Sequence, residues 1–382
     1  MNNPLLRGIR VLDLSRLLPG PHCTVLLAQL GAEIIKIEEP AGGDYTRSLS
    51  AEMFELVNRG KQSLTLDLRK SEGVAILKQL VAQADVLLES FRPGVMQRLG
   101  CDYESLKAIN PRLVYASLTG YGQSGPYRER AGHDMNYCGY AGVLDQIGSA
   151  DSGPTLSNTQ IADLAGGALT CAVGILAGVI GARASGQGCF VDSAMLDGTL
   201  ALQVVALSTL RTLGQTLPRG GDMLTGGLAN YQRYQCADGL WFALGSLEAK
   251  FFQSFCQAAG RPDLAKKSLA PGPAAKALHA ELVELFKTRS RAEWEQLCAQ
   301  ADCCGNGIYT LQEALNNEQV QARGLVEDLR GKPAVAAPLK FSGAQTATLS
   351  PAPRLGEHTQ AVLSQLKLDE AQLQALRAAK VC

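Results

Sequence analysis

The chain has 382 residues, enough for two or three domains, and 46% of them are hydrophobic, enough to bury a sizeable core. Only 19% are charged, with 36 basic residues against 36 acidic ones, so the whole chain offers no field for nucleic acid or an anionic membrane surface. Forty glycines and sixteen prolines are too few and too scattered for a collagen or a disordered chain, and the eleven cysteines are odd in number without framework spacing. That thiol pattern points to a reducing, cytoplasmic setting. Cys298, Cys303 and Cys304 have no nearby His and no zinc-ligand spacing, and are read as buried thiols. Met1 to Arg10 carries two arginines and no small-residue cleavage site follows, so no signal peptide is expected.

The first 120 residues alternate short apolar runs with helical patterns. Gly8–Leu14, Glu33–Glu38, Ser63–Leu68, Asp85–Glu89 and Arg112–Leu118 read as strands. Between the first two, Pro19-Gly20-Pro21 makes a turn and an apolar helix runs to Gly31. Ser71 to Ala84 is an amphipathic helix. This alternation predicts a parallel, doubly wound α/β sheet. From Ile161 to Leu213 the pattern is helical throughout. Its segment Ala165 to Ala182 has eighteen uncharged residues, and is read as a buried core helix rather than a membrane span because it is mostly Gly and Ala. Residues 213–227 are rich in Gly, Thr and Pro and mark a domain boundary. Residues 228–325 predict a smaller α+β domain that opens with a hairpin, Tyr231–Cys236 and Leu240–Leu244. A Pro/Ala/Gly-rich return follows over 331–354, and a helical tail over His358–Lys380. The large domain is thus residues 1–212, completed by about 326–382.

Four features carry chemistry. Gly120-Tyr-Gly122-Gln-Ser-Gly125 follows a strand, but Pro126 and a polar run replace the helix that a dinucleotide site needs, so NAD is not expected. The glycine-rich loop still belongs to the class that lines ligand crevices. His133, one of four histidines, stands in a polar loop, Gly132-His133-Asp134-Met135-Asn136-Tyr137. Asp163 opens the long apolar helix. It is equally an N-cap, or a carboxylate beside accessible backbone N–H groups that could hold an oxyanion. Glu248 follows a strand of the small domain. No P-loop and no hydrolase elbow is present.

Together these residues resemble the class III CoA-transferase (CaiB/BaiF) family, closest to its α-methylacyl-CoA racemase branch. The resemblance runs through "GIRVLDLSRLLPGPHCTVLLAQLGAEIIKIEEP", "NRGKQSLTLDL", "DVLLESFRPGVMQRLG", "LVYASLTGYGQSGPYRERAGHDMNY", "IADLAGG" and "YQCADGLWFALGSLE". It implies a Rossmann-like large domain, a small domain, and an interlocked homodimer in which the small domain of one chain completes the active site of the other. It implies an acyl-CoA substrate and no metal, redox cofactor, nucleic-acid or membrane partner. In the family's transferases the Asp at position 163 attacks the thioester. In its racemases His133 and Asp163 are the two acid/base groups, and Glu248 supports the His. The resemblance further assigns CoA contacts to Leu66, Asp67, Leu68, Arg69, Arg92, Arg98 and the run from Gly132 to Tyr137. Three positions depart from the racemases. Thr225 and Asn230 stand where Asp and an aromatic are usual, at the expected acyl pocket. Glu39 replaces a CoA-binding Arg, which leaves Arg69, Arg92 and Arg98 for the phosphates.

Overall fold

The computed structural model describes residues 3–269, 272–366, 368 and 370–382. By internal packing these divide into two units. One comprises residues up to Val143, Ser157–Leu202 and Gly324–Cys382, and the other Leu144–Leu156 and Gln203–Arg323.

The first unit is built on a six-stranded parallel sheet. Its strands are β1 (Arg10–Asp13), β2 (Glu33–Glu38), β3 (Gln62–Thr65), β4 (Val86–Glu89), β5 (Val114–Thr119) and β6 (Phe190–Ala194), in the order β3-β2-β1-β4-β5-β6. β4 and β5 are buried along their whole length, which explains why they read as unbroken apolar runs rather than alternations. The order reverses between β1 and β4, and in an open α/β sheet that point makes the crevice at the strand ends. The helix Ser71–Val81 lays Ile76, Leu77, Leu80 and Val81 against Leu12, Ile35, Leu64 and Leu87. The C-terminal helices add Val362, Leu363 and Leu373 to the same core.

The tail after 354 also covers the edge of the sheet. β3 is an edge strand, and an open edge invites pairing with another chain. Here Thr65 N donates to Thr359 Oγ1 at 3.1 Å, and His358 N donates to Ser63 O at 2.9 Å. Just past the strand, Asp67 N donates to Val381 O at 2.7 Å. Of residues 331–354, Lys332–Val335 form a strand, β11, that pairs antiparallel with β10 (Val326–Leu329), and 336–354 form neither helix nor strand.

The α/β expectation holds, with one strand added. The helical reading of Ile161–Leu213 is interrupted by β6, which pairs in parallel with β5 from Tyr115↔Phe190 to Thr119↔Ala194. Gly186 ends the preceding helix at φ 74°, and a Cβ on Gly188 would lie 2.0 Å from Leu113 O. Only glycine lets the chain turn and dock there. The buried-helix expectation for Ala165–Ala182 also needs correction. The helix Ala162–Ser185 buries Cys171, Ile175 and Val179, but leaves Val173 and Ile180 exposed. Its length and composition are sufficient to cross a membrane.

The second unit carries a three-stranded antiparallel sheet, β7 (Tyr231–Gln235), β8 (Trp241–Gly245) and β9 (Gly305–Gly307), in that order. Its core is aromatic. Phe286 stacks on Tyr234 with ring centres 4.6 Å apart, Phe255 and Trp294 close around it, and Trp294 Nε1 donates to Phe286 O at 2.9 Å.

Candidate active site

β5 runs into the glycine-rich loop, and the chain then turns until helix Asp134–Tyr140; no helix opens at Gly125. His133 is the N-cap of that helix. Its backbone N donates to Asn136 Oδ1 at 3.0 Å, and its side chain lies exposed. The next residue reaches across the chain. Asp134 Oδ1 accepts from Ala162 N at 2.7 Å and from Asp163 N at 3.0 Å. The His133 loop and the start of the Asp163 helix, about thirty residues apart in sequence, are thereby tied together through Asp134.

This geometry corrects the cap reading of Asp163. Asp163 lies inside the first turn of the helix Ala162–Leu169, a π-helical stretch, and the cap is Asp134 from another element. Single π-helical turns recur at functional sites because the wider turn re-aims side chains. The corrected cap also occupies N–H groups at the helix start that were expected as oxyanion donors. The N–H groups of Ala162 and Asp163 are held by Asp134, and Leu164 N donates to Gln160 O. Those three groups are not available to an enolate oxygen. The Asp163 carboxyl is part-buried and its pKa is pushed up to about 7, first by burial and then by the negative charge of Asp134.

A tyrosine cluster surrounds this corner, and sequence reasoning missed it. Tyr121 packs edge-on against Tyr137 at 5.1 Å and against Tyr127 at 5.9 Å, and Tyr127 lies 5.2 Å from Tyr140. Tyr137 OH donates to Gly132 O, so Gly132 and Tyr137 brace the loop that carries His133. Arg130 lies over the Tyr127 ring at 3.8 Å and donates to Tyr140 OH at 3.2 Å. Four tyrosines within twenty residues were the available signal. Met135 is half-exposed beside them.

The expected CoA contacts fall into two groups. Leu66 is buried in the sheet core and its N donates to Glu38 O, so its side chain is not available to a ligand. Asp67 accepts from Arg69 Nε at 2.9 Å and Nη2 at 3.1 Å. That pairing holds the Arg69 guanidinium at the end of β3, beside Leu68. Arg92 and Arg98 are exposed, and among the described residues neither forms an ion pair. A further cation went unnoticed. Arg16, just past β1, sits over the rings of Tyr45 and Phe91, 5.2 Å from each, and its N donates to Ser90 Oγ at 3.2 Å. It therefore stands at the β1–β4 crevice. Its position directly after a strand at the switch point was the missed clue.

Glu248 belongs to the second unit. It is the N-cap of helix Ala249–Ala258, with its side chain exposed, and its charge raises the pKa of the Cys304 thiol, behind burial as the larger cause. Asn230 does not line an open acyl pocket. It is 1% exposed, and its Nδ2 donates to Ser246 O at 2.7 Å, bracing the turn that leads to Glu248. Thr225 Oγ1 accepts from Asp222 N at 3.0 Å. No cluster of three metal-ligating side chains occurs among the described residues.

The profile of "CoA-transferase family III" matches residues 6–359. The human "Alpha-methylacyl-CoA racemase" is 34% identical over 384 aligned positions, covering 98% of this chain and 97% of the relative. "Succinate--glutarate CoA-transferase" of Agrobacterium fabrum is 33% identical, covering 96% and 97%. The crystal structure of a CAIB/BAIF family protein from Brucella suis superposes with a TM-score of 0.85 at 33% identity, covering 96% of this chain and all of that one. On this agreement of profile, sequence and fold, the chain belongs to CoA-transferase family III, the CaiB/BaiF family.

Proposed function

We propose that the chain is an acyl-CoA racemase or epimerase, acting on a 2-methylacyl-CoA by removing and returning the α-proton. The observation that carries this reading is the Asp163 carboxyl, part-buried beside the His133 loop and held near pKa 7. Racemisation needs a group on each face that can both take and give a proton. An acid/base group serves best when its pKa lies near the working pH. A carboxyl of ordinary pKa is a poor proton donor at neutrality.

In this mechanism one of the pair, His133 or Asp163, takes the α-proton as the C–H electron pair moves into the thioester to form the enolate. The other delivers a proton to the opposite face of the α-carbon. Glu248 of a second copy orients the His133 imidazole. The CoA phosphates meet Arg92, Arg98, Arg69 and Arg16. The active unit is a homodimer.

A second reading is supported by transferase relatives of nearly equal identity. There Asp163 Oδ attacks the thioester carbonyl and CoA leaves as thiolate, giving a mixed anhydride that CoA reopens to an aspartyl thioester and a free acid. The transfer step asks for no proton donor, so a carboxyl raised by burial is the feature that favours the first reading.

The test is incubation with 2-methylacyl-CoA thioesters in D₂O without a second acid. Deuterium at C2 with loss of stereochemistry, absent in H133A, is the expected result. No exchange across several acyl chains, with CoA moving to an added carboxylic acid, overturns the proposal in favour of transfer.

A further inference from the structure

Asp134 is grouped by resemblance with the CoA contacts, yet its carboxylate faces inward. Oδ1 holds two consecutive backbone N–H groups, those of Ala162 and Asp163. Among the described residues Oδ2 meets only the Cys138 thiol, a weak donor at 3.8 Å. The cap comes from 28 residues away rather than from the preceding residue, so it ties the His133 loop to the helix of Asp163.

We propose that Asp134 is a positioning residue: its carboxylate fixes the backbone from which Asp163 projects, and so sets a negative charge beside that residue. This rests on the proton-transfer reading above. Two effects follow from one side chain. The clamp sets where the acid/base group points. The charge makes a second negative charge beside it unfavourable, and so keeps Asp163 protonatable at neutral pH.

Other titratable groups stand on the elements packed around this segment. They are Tyr137, Cys138 and Tyr140 on the Asp134 helix, His22 and Cys23 on Pro19–Gln29, Asp197 on Met195–Ala201, Cys171 and Arg183 on Thr170–Ser185, Tyr115 on β5 and Asp192 on β6. Of all these groups, Asp134 is the one whose charge bears on Asp163. Burial is the larger cause of the raised Asp163 pKa, and substituting Asp134 leaves that part in place.

The two roles separate by substitution in the full-length protein. D134N keeps an oxygen for the two N–H groups and removes the charge. D134A removes both. The Asp163 carboxyl is titrated directly by ¹³C NMR on aspartate-labelled, ligand-free protein, with D163N identifying its signal. The pH profile of α-proton exchange is measured alongside. D134N is expected to move the Asp163 midpoint, and the acid limb of the profile, down by at least half a pH unit, with KM for the acyl-CoA within twofold. D134A is expected to lower kcat at least tenfold further. D134S, a neutral capping side chain, serves if D134N does not fold. An unmoved Asp163 midpoint in the folded neutral variant overturns the proposal. So does a rise in KM with kcat unchanged, which would return Asp134 to the CoA contacts. If the wild type exchanges no α-proton while the NMR midpoint still shifts, the positioning role stands and the racemase reading fails.

Discussion

Asp163 has a cost in stability that can be measured apart from catalysis. Its pKa rises from 3.8 to about 7 on folding, so between those values the folded chain holds a proton that the unfolded chain releases. Its contribution is therefore favourable below about pH 4 and is lost as pH rises through 7. Three units at about 1.4 kcal/mol each set a ceiling on the order of 4 kcal/mol at pH 8. D163N removes the titrating group. It should unfold at higher denaturant concentration than the wild type at pH 8, with the gap closing below pH 4, while α-proton exchange falls at least 100-fold, the lower end of the roughly 10²–10⁴ contributed by general acid/base groups. An equal or smaller midpoint for D163N at pH 8 would show that the carboxyl is not strained in its site.

The buried ions of the sheet behave oppositely. Lys61 and Asp13 are fully buried with Nζ and Oδ2 3.0 Å apart, and Lys36 pairs with Asp44 at 2.9 Å. Removing one partner leaves an uncompensated charge in the interior. K61M should cost about 3–5 kcal/mol, read from denaturant unfolding. Sequence singled out His133 and Asp163 because each sits in a motif. It did not reach Asp134 as a clamp or Arg16 between two rings, because such pairings depend on which loops the strand order brings together.

At the scale of elements, the site depends on how the Asp163 helix meets the one after β6. A Cβ on Gly198 would lie 1.9 Å from Gly166 O, and one on Gly166 would lie 2.2 Å from Thr199 Oγ1. The two helices thus cross with backbone nearly touching backbone. The obstacle at Gly198 is a carbonyl rather than a movable side chain, so G198A must push the helices apart. Overpacking of this kind costs about 1–3 kcal/mol or more. A fall in thermal midpoint together with a loss of α-proton exchange is expected. Unchanged values for both would mean that the crossing adjusts freely. The strands β1 to β5 and the helix between β3 and β4 were legible because each carries its own period and its own turn residues. β6 was not. Its Phe-Val-Asp-Ser-Ala lies between two apolar helices, and at five residues its alternation is outweighed by theirs. What makes it a strand is the open edge of β5, a tertiary cause that local pattern does not carry.

For the whole molecule, the informative feature is apolar surface that a single chain leaves uncovered. Val173 and Ile180 are seven residues apart on one helix, so they share a face, and they are 67% and 70% exposed. In the second unit, helix Val204–Leu213 buries none of its residues, and it exposes Val204, Leu207 and Leu213. The sequence had suggested a core helix for the first of these, and composition alone could not say that half of it would face outward. Isolated exposed apolar residues are ordinary, but apolar faces of this extent in soluble proteins mark interaction surfaces. The homodimer proposed above gives them an occupant in a second copy of this chain. Light scattering should then return about 81 kDa, twice the 40.5 kDa chain. V173D with I180D places two carboxylates on the face of the first helix. If that face is the seam, the double variant should elute at the mass of one chain with its far-UV dichroism unchanged. Loss of exchange activity on dissociation, restored by no increase in substrate, is what a site completed by Glu248 of a second copy requires. A wild-type mass of one chain sinks the homodimer, and leaves these faces to be covered by something other than a second copy.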